Sequence, residues 1–199
     1  MKTSLRIVSG SLRGRKLNCI VNPELRPTPQ MVREALFSIL GNAIPERAFV
    51  DIFSGTGVNG LEALSRGASR ALFIERDFRL AQDIENRLRE FQVKDRSRLY
   101  RTDAYRWVAA WRPPTEPVNV FFSPPFADLQ ERPELLIEAL ATLQKTLAED
   151  SVIVVQGEKG CPLEEDRFFE DWESRKYSRN VLYIWQKGVT TEPEASATE

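Results

Sequence analysis

The sequence predicts an α/β fold: a doubly wound, mainly parallel sheet with an antiparallel C-terminal strand pair and a small N-terminal hairpin-helix extension. Three observations predict it. Strand-like apolar runs alternate with amphipathic runs from residue 48 to residue 156, the order that builds a parallel sheet covered on both faces. A glycine turn, Gly55-Thr56-Gly57-Val58-Asn59-Gly60, separates the first of these strands from its helix, the layout of a nucleotide-type cofactor site. Near the end, two strand-like runs at 172–178 and 180–186 follow each other almost without interruption, which pairs them antiparallel.

In chain order, runs at 5–9 and 15–20 flank Gly10-Ser11-Leu12-Arg13-Gly14 and read as a hairpin. Pro23, Pro27 and Pro29 keep the backbone extended until a helix begins near Gln30. Val32, Ala35, Leu36, Ile39 and Leu40 give that helix an apolar face, and Gly41 ends it. Strands are expected near 48–53, 70–75, 97–101, 118–122 and 151–156, and helices near 58–66, 78–92, 103–111 and 131–148. Residues 188–199 lack large apolar groups apart from Val189 and read as a disordered tail. The organisation expected is a basic extension over 1–41, a cofactor-binding domain over 42–187, and the tail.

At 199 residues and 42% hydrophobic content, the chain can bury one sizeable core. No long apolar run suggests a signal peptide or a membrane span. Cys19 and Cys161 are isolated in sequence, which fits reduced thiols and a cytoplasmic location. The chain has no histidine, so His-based triads and His metal ligands are excluded and no metal is expected. Net charge is −1, yet residues 1–40 carry seven basic groups against two acidic ones, a balance of +5 that leaves −6 for the remainder. Arg13, Arg15, Lys16, Arg26 and Arg33 in that segment are candidate RNA contacts.

Asp51 ends the strand before the glycine turn. A dinucleotide would bring an anionic pyrophosphate there, which a carboxylate repels. S-adenosylmethionine brings an ammonium and a sulfonium, which the same carboxylate attracts. Glu75, at the end of the next strand, can accept ribose hydroxyls; a surface ion pair with Arg76 is its plainer reading. Asp103, after the third, can accept an adenine amine or cap the helix that follows. Phe53, Ser54, Gly55, Gly57 and Ala104 complete the expected cofactor site. The fourth strand runs into Ser123-Pro124-Pro125-Phe126. Two prolines make this loop rigid and remove two N–H donors, leaving carbonyls and a ring that suit a planar base with an exocyclic amine.

The stretch from Asp51 to Gly60, with Glu75, Asp103 and the Pro-Pro-Phe loop, resembles class I S-adenosylmethionine-dependent amino-methyltransferases. Arg6-Ile7-Val8-Ser9-Gly10, Arg13-Gly14-Arg15-Lys16-Leu17, Arg26-Pro27-Thr28 and Val32-Arg33-Glu34-Ala35-Leu36-Phe37 resemble, more narrowly, the bacterial RsmD family. The resemblance covers roughly residues 5–187. It implies a Rossmann-like fold and methyl transfer to guanine N2 in 16S ribosomal RNA, free or within a small ribosomal subunit particle. It also assigns Ser123, Pro124, Pro125 and Phe126 to the catalytic loop. The chain departs from the pattern at Ser123, which stands where the family has an acidic residue, and at Gln30 and Met31, which replace more polar residues. Two other readings are carried forward. The chain could be a pseudo-methyltransferase that binds RNA as an assembly factor, for which Ser123 speaks. It could be an NAD-dependent enzyme using the spaced glycines, against which Asp51 speaks.

Overall fold

The computed structural model describes residues 2–20 and 27–188. Arg26 and the tail from 189 onward lie outside the described residues.

Strand β1 (Lys2–Arg6) pairs antiparallel with β2 (Lys16–Ile20), with Leu5 opposite Leu17 and Arg6 opposite Lys16. The first strand lies earlier than the expected 5–9. Beyond Arg6, the N–H groups of Val8 and Ser9 turn away and donate to the Glu62 carboxylate at 2.8 and 3.0 Å. A side chain on another element has taken the ladder's place.

Helix α1 (Gln30–Leu40) follows, then the main sheet: β3 (Ala48–Ile52), α2 (Val58–Ser65), β4 (Arg70–Ile74), α3 (Phe78–Glu90), β5 (Ser97–Tyr100), α4 (Ala104–Ala110) and β6 (Val118–Phe122). Helices α5 (Phe126–Glu131) and α6 (Pro133–Thr146) lead to β7 (Val152–Glu158), β8 (Glu173–Tyr177) and β9 (Asn180–Gln186). The seven strands lie in the order β5-β4-β3-β6-β7-β9-β8. Strands β5 to β7 run parallel, while β9 is antiparallel to β7 and β8 to β9. The order reverses between β3 and β6. In such sheets ligands bind outside the carboxyl ends at this switch point.

The helix expected near 131–148 is α6, and a short helix not expected from the sequence, α5, stands before it. Pro133 has no N–H to donate and its ring excludes a continuing turn, so the chain breaks at Arg132 (φ −141°, ψ 42°) and restarts with proline in the first turn of α6. One sheet face is covered by α1, α2 and α3. There Leu36, Phe37 and Leu40 pack with Phe49, Phe121, Val154 and Leu182, while Ile7 and Leu17 of the N-terminal segment join Leu61, Phe73 and Leu88. The other face packs Val50, Ile52 and Phe122 against Trp107, Leu129, Leu136 and Leu140 of α4, α5 and α6. Cys19 and Cys161 are free and buried. Among the described residues no helix is long and apolar enough to cross a membrane.

Candidate functional site

The glycine turn is shaped by packing below it as much as by the glycines. Phe53 has φ 63°, a conformation a bulky residue adopts only when its surroundings impose it. Its ring is wedged edge-on against Tyr105 and Phe122, with centroids 5.4 and 5.3 Å away. Ser54 extends the β3–β4 pairing one step: its N–H donates to Ile74 O at 3.0 Å, and its Oγ donates to Asp51 O at 2.6 Å and accepts the Ile74 N–H at 2.9 Å. Its side chain is spent in hydrogen bonds within the fold. Gly57 (φ +74°) has no room for a side chain, since a Cβ would lie 2.9 Å from Ile84 Cγ1. At Gly60 a Cβ would lie 2.2 Å from the Phe73 ring, so this glycine lets α2 pack closely on β4.

Asp51 is fully buried. Its Oδ2 accepts the Gly60 N–H at 3.0 Å, and its Oδ1 has no partner among the described residues. Burial pushes its carboxyl well above the ordinary range; the Gly60 N–H opposes this and the charge of Glu75 adds to it. The sequence reading put this carboxylate face to face with a cation. The structure buries it, with Oδ2 on the N–H of Gly60 in the first turn of α2 and Oδ1 open among the described residues. Glu75 is buried too, not paired at the surface with Arg76. Its two oxygens accept N–H groups from Gly55 and Asp77, each at 2.8 Å. Burial raises its pKa against those two bonds. Asp103 caps α4, accepting the Arg106 N–H at 3.0 Å, and Ala104 is buried at the start of that helix.

The Ser-Pro-Pro-Phe loop starts beside the turn, because the Ser123 N–H donates to Ile52 O at 3.3 Å. Pro124 is buried, Pro125 precedes α5, and Phe126 is exposed. Asp128 Oδ2 accepts the Tyr105 O–H at 2.8 Å, tying α5 to α4, and burial together with that bond pushes the tyrosine's pKa up. The Ser123 Oγ donates to Gln156 Oε1 at 3.4 Å; the same oxygen accepts from Thr28 Oγ at 3.0 Å. Gln156 Nε2 donates to Asn180 Oδ1 at 2.9 Å, and Asn59 Nδ2 donates to Thr28 Oγ at 3.3 Å.

Sequence reasoning missed Thr28, Asn59, Tyr105, Asp128, Gln156 and Asn180. Gln156 could have been found, as a polar residue closing the apolar run Val152-Ile153-Val154-Val155, the pattern that singled out Asp51. Thr28 stood in a quoted motif without a role. The Tyr105–Asp128 bond joins residues that no local spacing relates.

Arg33 is a correction among the RNA contacts. It is only 1% exposed, and it donates to Thr28 O at 3.2 Å and Arg6 O at 2.8 Å. Burial lowers its pKa. It is an internal strut between the hairpin and Thr28, and cannot meet RNA. Arg13, Arg15 and Lys16 are exposed. The segment carrying them is anchored by the fully buried Glu62, which also accepts from Arg66 Nε at 2.9 Å. Arg87 ties it to the turn, donating to Asn18 O at 2.9 Å and Thr56 O at 3.0 Å.

A family model described as "Conserved hypothetical protein 95" matches residues 5–186. The ribosomal RNA small subunit methyltransferase D of Escherichia coli K12 is 36% identical over 156 residues, covering 77% of this chain and 75% of that one. The solved structure of the Escherichia coli protein yhhF is 31% identical with a TM-score of 0.74, covering 93% of this chain and 98% of that one. An RNA methyltransferase from Salinibacter ruber, solved with S-adenosyl-L-homocysteine, is 19% identical at a TM-score of 0.59, over 85% and 98% of the two chains. At that identity it carries the fold alone: α/β, Rossmann-like, of the class I methyltransferase type. With a family match across most of its length and a curated relative above 30% identity, the chain belongs to the RsmD family.

Proposed function

We propose that this protein is a ribosomal RNA methyltransferase that moves a methyl group from S-adenosylmethionine to the N2 amine of a guanine in 16S ribosomal RNA. One observation carries the reading: the Ser123 N–H bonded to Ile52 O starts an acceptor-rich, proline-fixed loop directly beside a glycine turn backed by two buried carboxylates. The Escherichia coli relative, by its name, acts on small subunit ribosomal RNA, which supports the substrate class.

The residues fit S-adenosylmethionine. The unpartnered Asp51 Oδ1 and the raised pKa values of Asp51 and Glu75 mark a place where a positive charge would relieve buried acids. Asp51 and the Gly55–Gly57 turn would hold the methionine end. Glu75 has lone pairs left for ribose hydroxyls, and Asp103 and Ala104 lie at the end of the neighbouring strand, where the base would rest. When bound, S-adenosylmethionine supplies an electrophilic methyl whose bonding pair stays on sulfur as the amine's lone pair forms the new bond and its proton leaves to water. Ser123 and the Pro124 carbonyl would accept the amine hydrogens of an extruded guanine while Phe126 stacks on its ring. Rigid positioning of the amine supplies most of the acceleration.

The neutral Ser123 favours a second reading, a weakened enzyme that acts chiefly by binding RNA. Single-turnover incubation of undermethylated small subunits with the protein and labelled S-adenosylmethionine separates the two, followed by mapping of the modified base. Stoichiometric label on a guanine N2 is expected. Tight RNA binding with no label would leave only the assembly role.

A further inference from the structure

The Ser123 hydroxyl sits in a wire of polar side chains that meets at Gln156. Asn59 Nδ2 donates to Thr28 Oγ, so that hydroxyl's single proton goes on to Gln156 Oε1. Gln156 Nε2 is held at its other side by Asn180 Oδ1. The amide therefore presents its oxygen to Ser123 and receives the Ser123 proton. A serine hydroxyl has one proton and two acceptor lone pairs. With the proton given to Gln156, Ser123 has only acceptor capacity left.

We propose that Gln156 is a positioning residue that locks Ser123 as a hydrogen-bond acceptor, so that the site selects a purine carrying an exocyclic amine and disfavours one without it. The inference rests on the reading of Ser123 as the group that meets the target amine. A carbonyl presented at the same point would face lone pairs and find no donor. An amine would find a fixed acceptor without having to reorient the hydroxyl. The arrangement gives a neutral residue the polarity that an acidic one has by charge.

The test uses a small subunit RNA fragment with guanosine or inosine at the mapped target, since inosine differs only by lacking the 2-amine. Affinity is measured without cofactor, and single-turnover rate with it. The full chain should bind the guanosine RNA about three- to tenfold more tightly, the span of one neutral hydrogen bond. Gln156→Leu should cut this preference to within about twofold by releasing the hydroxyl to rotate. Gln156→Glu should keep it, because a carboxylate accepts the same two protons, with Asn180 turning its amide to donate to the second oxygen. On a Ser123→Ala background, Gln156→Leu should change nothing further, a non-additivity that a merely structural role would not produce. Melting temperature and cofactor affinity serve as folding controls, with Gln156→Met as the substitute if the leucine variant does not fold. If Gln156→Leu weakens both RNAs equally, or adds its effect to Ser123→Ala, the positioning role is overturned. A wild-type protein that ignores the 2-amine would overturn the reading of Ser123 itself, a separable failure.

Discussion

Asp51 is buried where ionisation is disfavoured, and among the described residues only one of its oxygens has a partner. Its folded pKa lies above the ordinary carboxylate value, so the folded state holds its proton more tightly than the unfolded chain does. Stability from this group is therefore greatest at low pH and falls as pH rises from the ordinary value to the raised one. A cation bound nearby reverses the preference, so affinity for S-adenosylmethionine should rise with pH over the same range and level off above it. Asp51→Asn keeps an oxygen for the Gly60 N–H and removes the charge. We expect it to bind the cofactor about 1.5–3 kcal/mol more weakly, the scale for losing an interaction with a charged group. The variant should show no pH dependence from this site and melt no lower than wild type at neutral pH. Calorimetry across pH decides it: wild-type affinity that is flat with pH and unchanged in the variant would remove Asp51 from cofactor binding.

The N-terminal hairpin and the elements under it divide the basic residues by burial, and burial separates binding from folding. Changing Arg13, Arg15 and Lys16 together to Ala should lower RNA affinity and reduce its salt slope by about 2–3, for three phosphates no longer neutralised. Cofactor affinity and melting should hold. Arg33→Ala should do the reverse. It leaves the carbonyls of Thr28 and Arg6 without a buried donor, at about 1–3 kcal/mol each, so melting should drop while the salt slope stays as it was. A triple variant with an unaltered slope would mean that those charges are simply solvated. The alternation of strands and helices was legible because runs such as 118–122 and 70–74 are apolar and bounded by turn residues. The Arg33 strut was not, since charge alone does not tell which arginines are buried. Nor was α5, whose six residues are too few to show a helical period, or the early end of β1, which depends on a carboxylate 54 positions away.

Over the whole molecule, the site is assembled from strand ends far apart in sequence, and this decided what could be read beforehand. Asp51, Glu75 and Ser123 each close an apolar run, so composition marked them. The joining of Ser123 with Thr28 and Asn180 through Gln156 depends on the segment before α1 and the start of β9 reaching the end of β7, which no local pattern encodes. The same assembly links the glycine turn to the hairpin, because the Arg87 guanidinium holds the turn at Thr56 O and the hairpin at Asn18 O. A ligand at about 100 times its Kd stabilises the folded state by about 2.7 kcal/mol. For a chain of this size that corresponds to about 5–10 °C in melting temperature. S-adenosylmethionine should produce such a shift and NAD none, because two buried carboxylates flank the turn where a pyrophosphate would have to sit. Hydrogen exchange should slow in the turn at residues 53–57 and, through Arg87, at the hairpin around Asn18. In Arg87→Met the turn should still gain protection and the hairpin should not. Stabilisation by NAD would discard the methyl-donor assignment, and equal hairpin protection in Arg87→Met would show that the link runs through the packing of Ile7 and Leu17 on α2 and α3 instead.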